Sequence, residues 1–136
     1  DGCTTYYEHE TGNNQIKAGA STAITANIQS GDFDLGVQGN LQGDTNAGEV
    51  MMKIRRVLPD FLSQTGGTRV TLNLKNYPTD SEASSSLGPF DITTSTTKID
   101  TRARARAIAL KISNTGLAQH WKVGTFRLDI QPDGRR

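Results

Sequence analysis

An arginine occupies every second position at the start of TRARARAIALKISNTG, which spans residues 101–116. Because side chains alternate between the two faces of a β-strand, Arg102, Arg104 and Arg106 would form one row with a spacing of about 7 Å. Guanidinium groups bind phosphates and carboxylates through paired hydrogen bonds. Three kinds of partner remain open: acidic side chains of the same chain, acidic side chains of a neighbouring subunit, and the phosphates of a nucleic acid.

This arginine row conflicts with the apolar residues that follow it. If the alternation continued, Ile108, Leu110 and Ile112 would share the face of the three arginines, and one dry core cannot hold both sets. Either a bulge near Arg106 reverses the alternation, or the first half of the strand extends beyond the core. We favour the extension, since the small residues Ala103, Ala105, Ala107 and Ala109 suit close approach by another sheet or subunit.

The sequence contains few residues suited to metal binding or nucleophilic catalysis: it has two histidines and one cysteine. Glu8, His9 and Glu10 are adjacent, but on a strand His9 would lie on the face opposite the two glutamates. The single Cys3 cannot form an internal disulfide. We expect no metal and no cofactor.

Carboxylates offer a second candidate chemistry. Asp32 and Asp34, together with Asp44, could bind calcium or act as acid and base in the cleavage of a glycoside. No calcium-loop spacing accompanies them, and the serines of 81–86 lack a nucleophile motif. We therefore expect that the chain is not an enzyme.

Charge is distributed unevenly along the chain, although the formal net charge is only +1. Residues 1–100 carry 7 basic against 12 acidic side chains, whereas residues 101–136 carry 8 against 2. Such polarity can orient partners, or the two regions can neutralise each other within the fold.

Period-2 alternation and frequent turn residues predict an all-β fold. A composition rich in Gly, Ser, Thr and Asn supports this class, and 136 residues favour one domain over 1–136. We predict a two-sheet antiparallel β-sandwich, jelly-roll-like, with no membrane span. Strands are expected at 3–10, 20–29, briefly around Phe33 and Leu35, and at 49–58, 69–75, 90–100, 101–112 and 126–131.

Several short motifs resemble the C-terminal region of tail proteins from short-tailed bacteriophages, the nozzle or packaged-DNA-stabilising type. They are TTKIDTRARARAIALKIS at 96–113 and WKVGTFRLDIQPDGRR at 121–136, preceded in order by YEHETG at 7–12, IQSGDFDL at 28–35, IRRVLPDF at 54–61, YP at 77–78 and GPF at 88–90. The sequence departs from that pattern in its Arg-Ala repeat and in a Gly-rich insertion at 36–48.

The resemblance implies a virion structural protein, part of a longer tail chain, that forms a homo-oligomeric ring around the DNA exit channel. It implies adaptor or portal proteins on one side, fibre or spike proteins on the other, non-specific contact with packaged DNA, and a location in the virion tail after assembly in the host cytoplasm. It gives no catalytic residues. It makes the following arginines candidate ring-interface or channel residues: Arg102, Arg104, Arg106, Arg127, Arg135 and Arg136.

The alternative function is a host-surface or glycan-binding module of a phage tail. β-Sandwiches bind glycans through exposed aromatic side chains, and the candidates here are Tyr6, Tyr7, Tyr77 and Trp121.

Overall fold

The fold is given by a computed structural model that describes residues 12–35, 50–77, 79–80, 85–114 and 116–135. This part of the chain forms strands, and none of it is a helix of the length and apolar character needed to span a membrane. Its strands are β1 (Asn14–Lys17), β2 (Ala20–Ala23), β3 (Ala26–Gln29), β4 (Phe33–Asp34), β5 (Val50–Leu58), β6 (Phe61–Thr65), β7 (Thr68–Lys75), β8 (Ser86–Ile92), β9 (Ile99–Ala105), β10 (Ala107–Asn114), β11 (His120–Val123) and β12 (Arg127–Arg135).

Two antiparallel sheets form the body of the fold. The larger has the order β3-β10-β7-β8, with β4 also paired to β10, and the smaller has the order β12-β5-β9. The pairs β1-β2 and β11-β6 form two further two-stranded sheets. This architecture confirms the predicted all-β sandwich class.

The hydrophobic core lies between the two main sheets, and both contribute to one cluster of buried side chains. The smaller sheet supplies Met52, Ile54, Val57, Ile99, Ala103 and Ala105; the larger supplies Val70, Leu72, Ile92, Ile108 and Ile112. Alternation along β5, β7 and β12 therefore follows the prediction, with Leu128 and Ile130 packed against the same cluster. On the opposite face of the smaller sheet Arg102 and Arg104 are exposed, whereas on the opposite face of the larger sheet Ala109 and Asn73 are buried.

Arg106 marks the point where the chain leaves the smaller sheet for the larger one. It lies between β9 and β10, and its backbone N–H donates a hydrogen bond of 3.1 Å to the carbonyl oxygen of Lys75 in β7. Ala103 and Ala105 are buried before this junction, and Ile108 and Ile112 are buried after it. The alternation thus reverses at Arg106, and our preferred extension beyond the core is wrong because both alanines lie in the core.

Two other predictions about strands are corrected. The strand predicted over 20–29 is two elements, and Ile24 and Ile28 are 48% and 53% exposed instead of half-buried on one face. Ile28 belongs to β3, an edge strand, whose side chains have sheet neighbours on one side only. The last strand does not end at Pro132: β12 continues to Arg135 through a shift in register, which an edge strand tolerates.

The strand predicted over 90–100 is also wrong, because β8 ends at Ile92 and β9 begins at Ile99. The other strand predictions are either confirmed or fall on residues outside the described part of the chain. The brief strand at Phe33 is β4, and both Phe33 and Leu35 pack against the core. The predicted strand over 3–10 and the insertion at 36–48 lie outside the described residues, as do residues 81–84.

Candidate functional site

The outer face of the smaller sheet is basic. Lys53 of β5 pairs across with Arg104 of β9 on one side and with Gln131 of β12 on the other. Residues directly opposite in an antiparallel pair lie on the same face. Arg102, two positions before Arg104, is exposed on that face as well. Strand pairing therefore brings cations from two distant parts of the sequence together.

A β-bulge at Arg55 adds further positive charge to this face. Ile54 and Arg56 pair with consecutive residues of β12, so that Arg55 is the extra residue of β5. Ile54 and Val57 are both buried in the core. The two arginines between them consequently both turn outward, where regular alternation would have sent one of them inward.

These side chains surround a shallow depression of about 460 Å³ on the outer face. We call it the basic depression; it is lined by Lys53, Arg55, Arg56, Thr101, Arg102 and Asp129. Four of these six side chains are cations and one is a carboxylate. The hydroxyl of Thr101 donates a hydrogen bond of 2.9 Å to the carbonyl oxygen of Ile54, which fixes its orientation. The lining contains no aliphatic or aromatic side chain among the described residues.

Part of the charge around the depression is neutralised within the chain. Nε of Arg56 lies 2.9 Å from Oδ1 of Asp100, and Nζ of Lys98 lies 3.1 Å from Oδ2 of the same carboxylate. The Arg56 hydrogen bond, followed by that of Lys98, holds the pKa of Asp100 below its ordinary value of 3.8. Arg104 forms an ion pair with Asp133 and also donates from Nη2 to the Asp133 carbonyl oxygen at 3.3 Å.

Other cations of the face have no such partner within the described part of the chain. Lys53, Arg55, Arg102 and Arg127 form no ion pair or side-chain hydrogen bond with any described residue. Three of them line the basic depression, and the fourth lies on the edge strand β12. Because their charges are uncompensated there, the face can attract an anionic ligand.

The predicted arginines fall into distinct environments. Arg102, Arg104 and Arg127 are on the outer face of the smaller sheet, whereas Arg106 is half-buried at the junction between the sheets. The backbone of Arg135 pairs with Val50 at the end of β12. Arg136 lies outside the described residues. The row of three arginines predicted from alternation therefore holds for two of its members.

Sequence reasoning missed Lys53 and Arg55 as members of the site. Their alternation with Met52 and Ile54 predicts a strand that has one charged face. What the sequence does not show is that β5 pairs with β9, which lies about fifty residues later. It also does not show the bulge that turns Arg56 outward beside Arg55.

The ion pairs between described residues join charges within each of the two segments of the sequence that differ in net charge. Arg56–Asp100, Lys98–Asp100, Arg69–Asp91 and Lys75–Asp32 all join residues of the acidic segment 1–100 to one another, and Arg104–Asp133 lies within 101–136. Among pairs with both partners described, none links the two segments.

The other candidate residues do not assemble into a site within the described part of the chain. Asp32 forms an ion pair with Lys75 at 2.7 Å, while Asp34 is exposed on β4. No group of three or more His, Cys, Asp or Glu side chains in this part is placed to hold a metal ion. Asp44 lies outside it.

The aromatic candidates are separated by their environments. Tyr77 is 65% exposed in the connection after β7. Trp121 is half-buried, packs against the core, and donates its indole N–H to Asn114. Tyr6 and Tyr7 lie outside the described residues.

Comparisons with known proteins gave no match to a protein-family model, to a curated protein or to a solved structure.

Proposed function

We propose that this chain is a structural component of a bacteriophage tail, of the nozzle type, that assembles into a homo-oligomeric ring around the DNA exit channel. Two things support the proposal. Short motifs resemble this family over most of the chain, and a β-sandwich with an exposed, charged sheet face is suited to packing side by side. The role is mechanical, in channel formation and DNA ejection, and involves no catalysis and no cofactor.

The observation that carries the proposal is the orientation of Arg102 and Arg104. Both side chains point away from the core of their own sandwich, although the small residues beside them in β9 are buried. Arginines buried and paired inside one subunit would have removed the physical argument for assembly. Both are exposed, and Arg102 has no described partner, so it is the one available to line a channel or to contact the next subunit, whereas Arg104 is paired with Asp133 of the same chain.

A closed ring also needs two unlike patches on each subunit, because head-to-tail contacts join different surfaces. The basic outer face of the smaller sheet is a candidate for one such patch or for the lining of the channel. In the proposed virion, the ring stacks on adaptor or portal proteins on one side and on fibre or spike proteins on the other. The chain would then reside in the tail after assembly in the host cytoplasm.

The test is the oligomeric state of the purified chain. Size-exclusion chromatography with multi-angle light scattering is run over a range of protein and salt concentrations, and the peak fractions are imaged by negative-stain electron microscopy. We expect a ring of one defined subunit number that dissociates at high salt. A monomer at every concentration, with no ring in the images, would contradict the proposal. An image of the intact particle then locates the chain relative to the portal.

A further inference from the structure

We infer that the basic depression on the smaller sheet binds the phosphate backbone of double-stranded DNA without sequence preference. This inference rests on the proposed function for its setting in the tail channel. The binding itself is a property of the single chain and can be measured without a ring.

The charge balance of the basic depression favours a polyanion. Lys53, Arg55 and Arg102 are uncompensated among the described residues, and Arg56 shares its charge with Asp100. Asp129 is the one carboxylate in the lining. Arg104 and Arg127 continue the positive surface beyond the rim on the same sheet. A single carboxylate would neutralise only one of these cations, whereas a chain of phosphates neutralises several in sequence.

Regular strand pairing fixes the positions of these cations to different extents. Lys53 lies in the ladder between β5 and β9, where it pairs with Arg104. Arg55 and Arg102 lie at the register shift between the same two strands and have no pairing partner there. Same-face residues of one strand are about 7 Å apart, so Lys53 and Arg55 are neighbours on the outer face. The guanidinium groups of Arg55 and Arg102 can each bind one phosphate through paired hydrogen bonds.

The lining distinguishes DNA from a protein partner. Protein interfaces depend on aromatic or aliphatic anchors that fill pockets, and the described lining of the depression offers none. The same lack of aromatic platforms excludes stacking on single-stranded bases. The cations lie on the face of a three-stranded sheet and not on a helix or two-stranded ribbon that could enter a groove to read base edges. The residues that line the depression therefore favour contact with the phosphate backbone of the duplex.

The experiment measures fluorescence anisotropy of a labelled random-sequence duplex of about 20 base pairs, titrated with the full chain over a salt series. The test variant is Lys53→Gln with Arg55→Gln and Arg102→Gln. The control variant is Arg69→Gln with Lys111→Gln, which removes two cations lining a depression on the other main sheet. Circular dichroism verifies that each variant is folded.

We expect the wild-type chain to bind with an affinity that falls steeply with salt. Each neutralised phosphate contributes about −0.9 to the slope of log affinity against log salt, so the triple variant should have a slope shallower by about 3 and lose at least about tenfold in affinity. The control should remain within about twofold of wild type.

Three outcomes overturn the inference. One is a wild-type affinity for DNA no greater than that of the triple variant. Another is loss of the ring in the triple variant, which would assign the residues to a subunit contact. The third is equal competition by poly-glutamate at matched charge, which would indicate an acidic protein partner. A monomeric chain that still binds DNA through the depression would contradict the ring proposal alone.

Discussion

The indole N–H of Trp121 donates a hydrogen bond of 2.8 Å to Oδ1 of Asn114. Asn114 is only 3% exposed, and its own amide donates to the carbonyl oxygen of Ile24 at 3.2 Å. The pair thereby connects β11 to the end of β10 and to the segment between β2 and β3. Trp121 holds the small β11-β6 sheet against the larger one, a structural role that its sequence neighbours do not reveal.

A double-mutant cycle on this pair should show coupling. Trp121→Phe keeps an aromatic ring but leaves the buried Oδ1 of Asn114 without its donor, and we expect a loss of about 1–3 kcal/mol in the free energy of unfolding. Asn114→Ala, alone and combined with Trp121→Phe, completes the cycle. Urea denaturation should give a coupling energy of about 0.5–3 kcal/mol, and strictly additive effects would show that the hydrogen bond is not stabilising.

The sequence predicts those parts of the fold that are determined by residues close together in the chain. Alternation of apolar residues in β5 and β7 gave these strands and their buried faces, because period 2 follows from strand geometry. The reversal at Arg106 could not be located in the same way. It follows from the chain changing sheets, and that depends on β9 pairing with β5 and β10 pairing with β7. The basic depression was missed for the same reason.

Asp100 should make stability depend on pH in the acidic range. Its pKa is lowered in the folded chain by Arg56 first and then by Lys98. The stabilisation is therefore present above the unfolded pKa of about 3.9 and is lost as pH falls through the lower folded pKa. The melting temperature of wild type should exceed that of Asp100→Asn at pH 6.

The comparison is made by differential scanning fluorimetry at several pH values. The difference between the two proteins should shrink as pH falls below the unfolded pKa, because protonation of Asp100 removes the charge that Arg56 and Lys98 stabilise. Because the carboxylate is at the surface, 0.5 M salt should reduce the difference at pH 6 as well. A difference that is independent of both pH and salt would show that the ion pairs are not its cause.

Gly88 is held in a conformation that a larger residue cannot adopt easily. Its φ is +116°, and a Cβ atom there would lie 2.9 Å from the carbonyl oxygen of Val70 on the paired strand. We expect Gly88→Ala to lower the free energy of unfolding by about 1–3 kcal/mol. Gly31→Ala is the matched control, since a Cβ there meets no described atom within 4 Å. Urea denaturation should give a lower free energy of unfolding for Gly88→Ala than for Gly31→Ala. Equal values would contradict the predicted strain at Gly88.

Arg102 and Ala103 are neighbours in β9 on opposite faces, so substitutions at the two positions should have opposite consequences. Ala103 is 2% exposed and lies opposite Ile54 in the core between the sheets. Ala103→Leu forces extra volume into that contact and should cost about 1–3 kcal/mol in the free energy of unfolding. Arg102→Ala removes an exposed side chain with no described partner and should change stability by less than about 0.5 kcal/mol.

The two substitutions also separate folding from binding. Arg102→Ala should weaken DNA binding while leaving the melting temperature unchanged, because its charge acts on the solvent side of the sheet. Ala103→Leu should lower the melting temperature, and at a temperature where it is still folded it should bind DNA like wild type. If Arg102→Ala proved the more destabilising of the two, the faces assigned to β9 would be reversed. The basic depression would then lose the one cation that β9 contributes to its described lining.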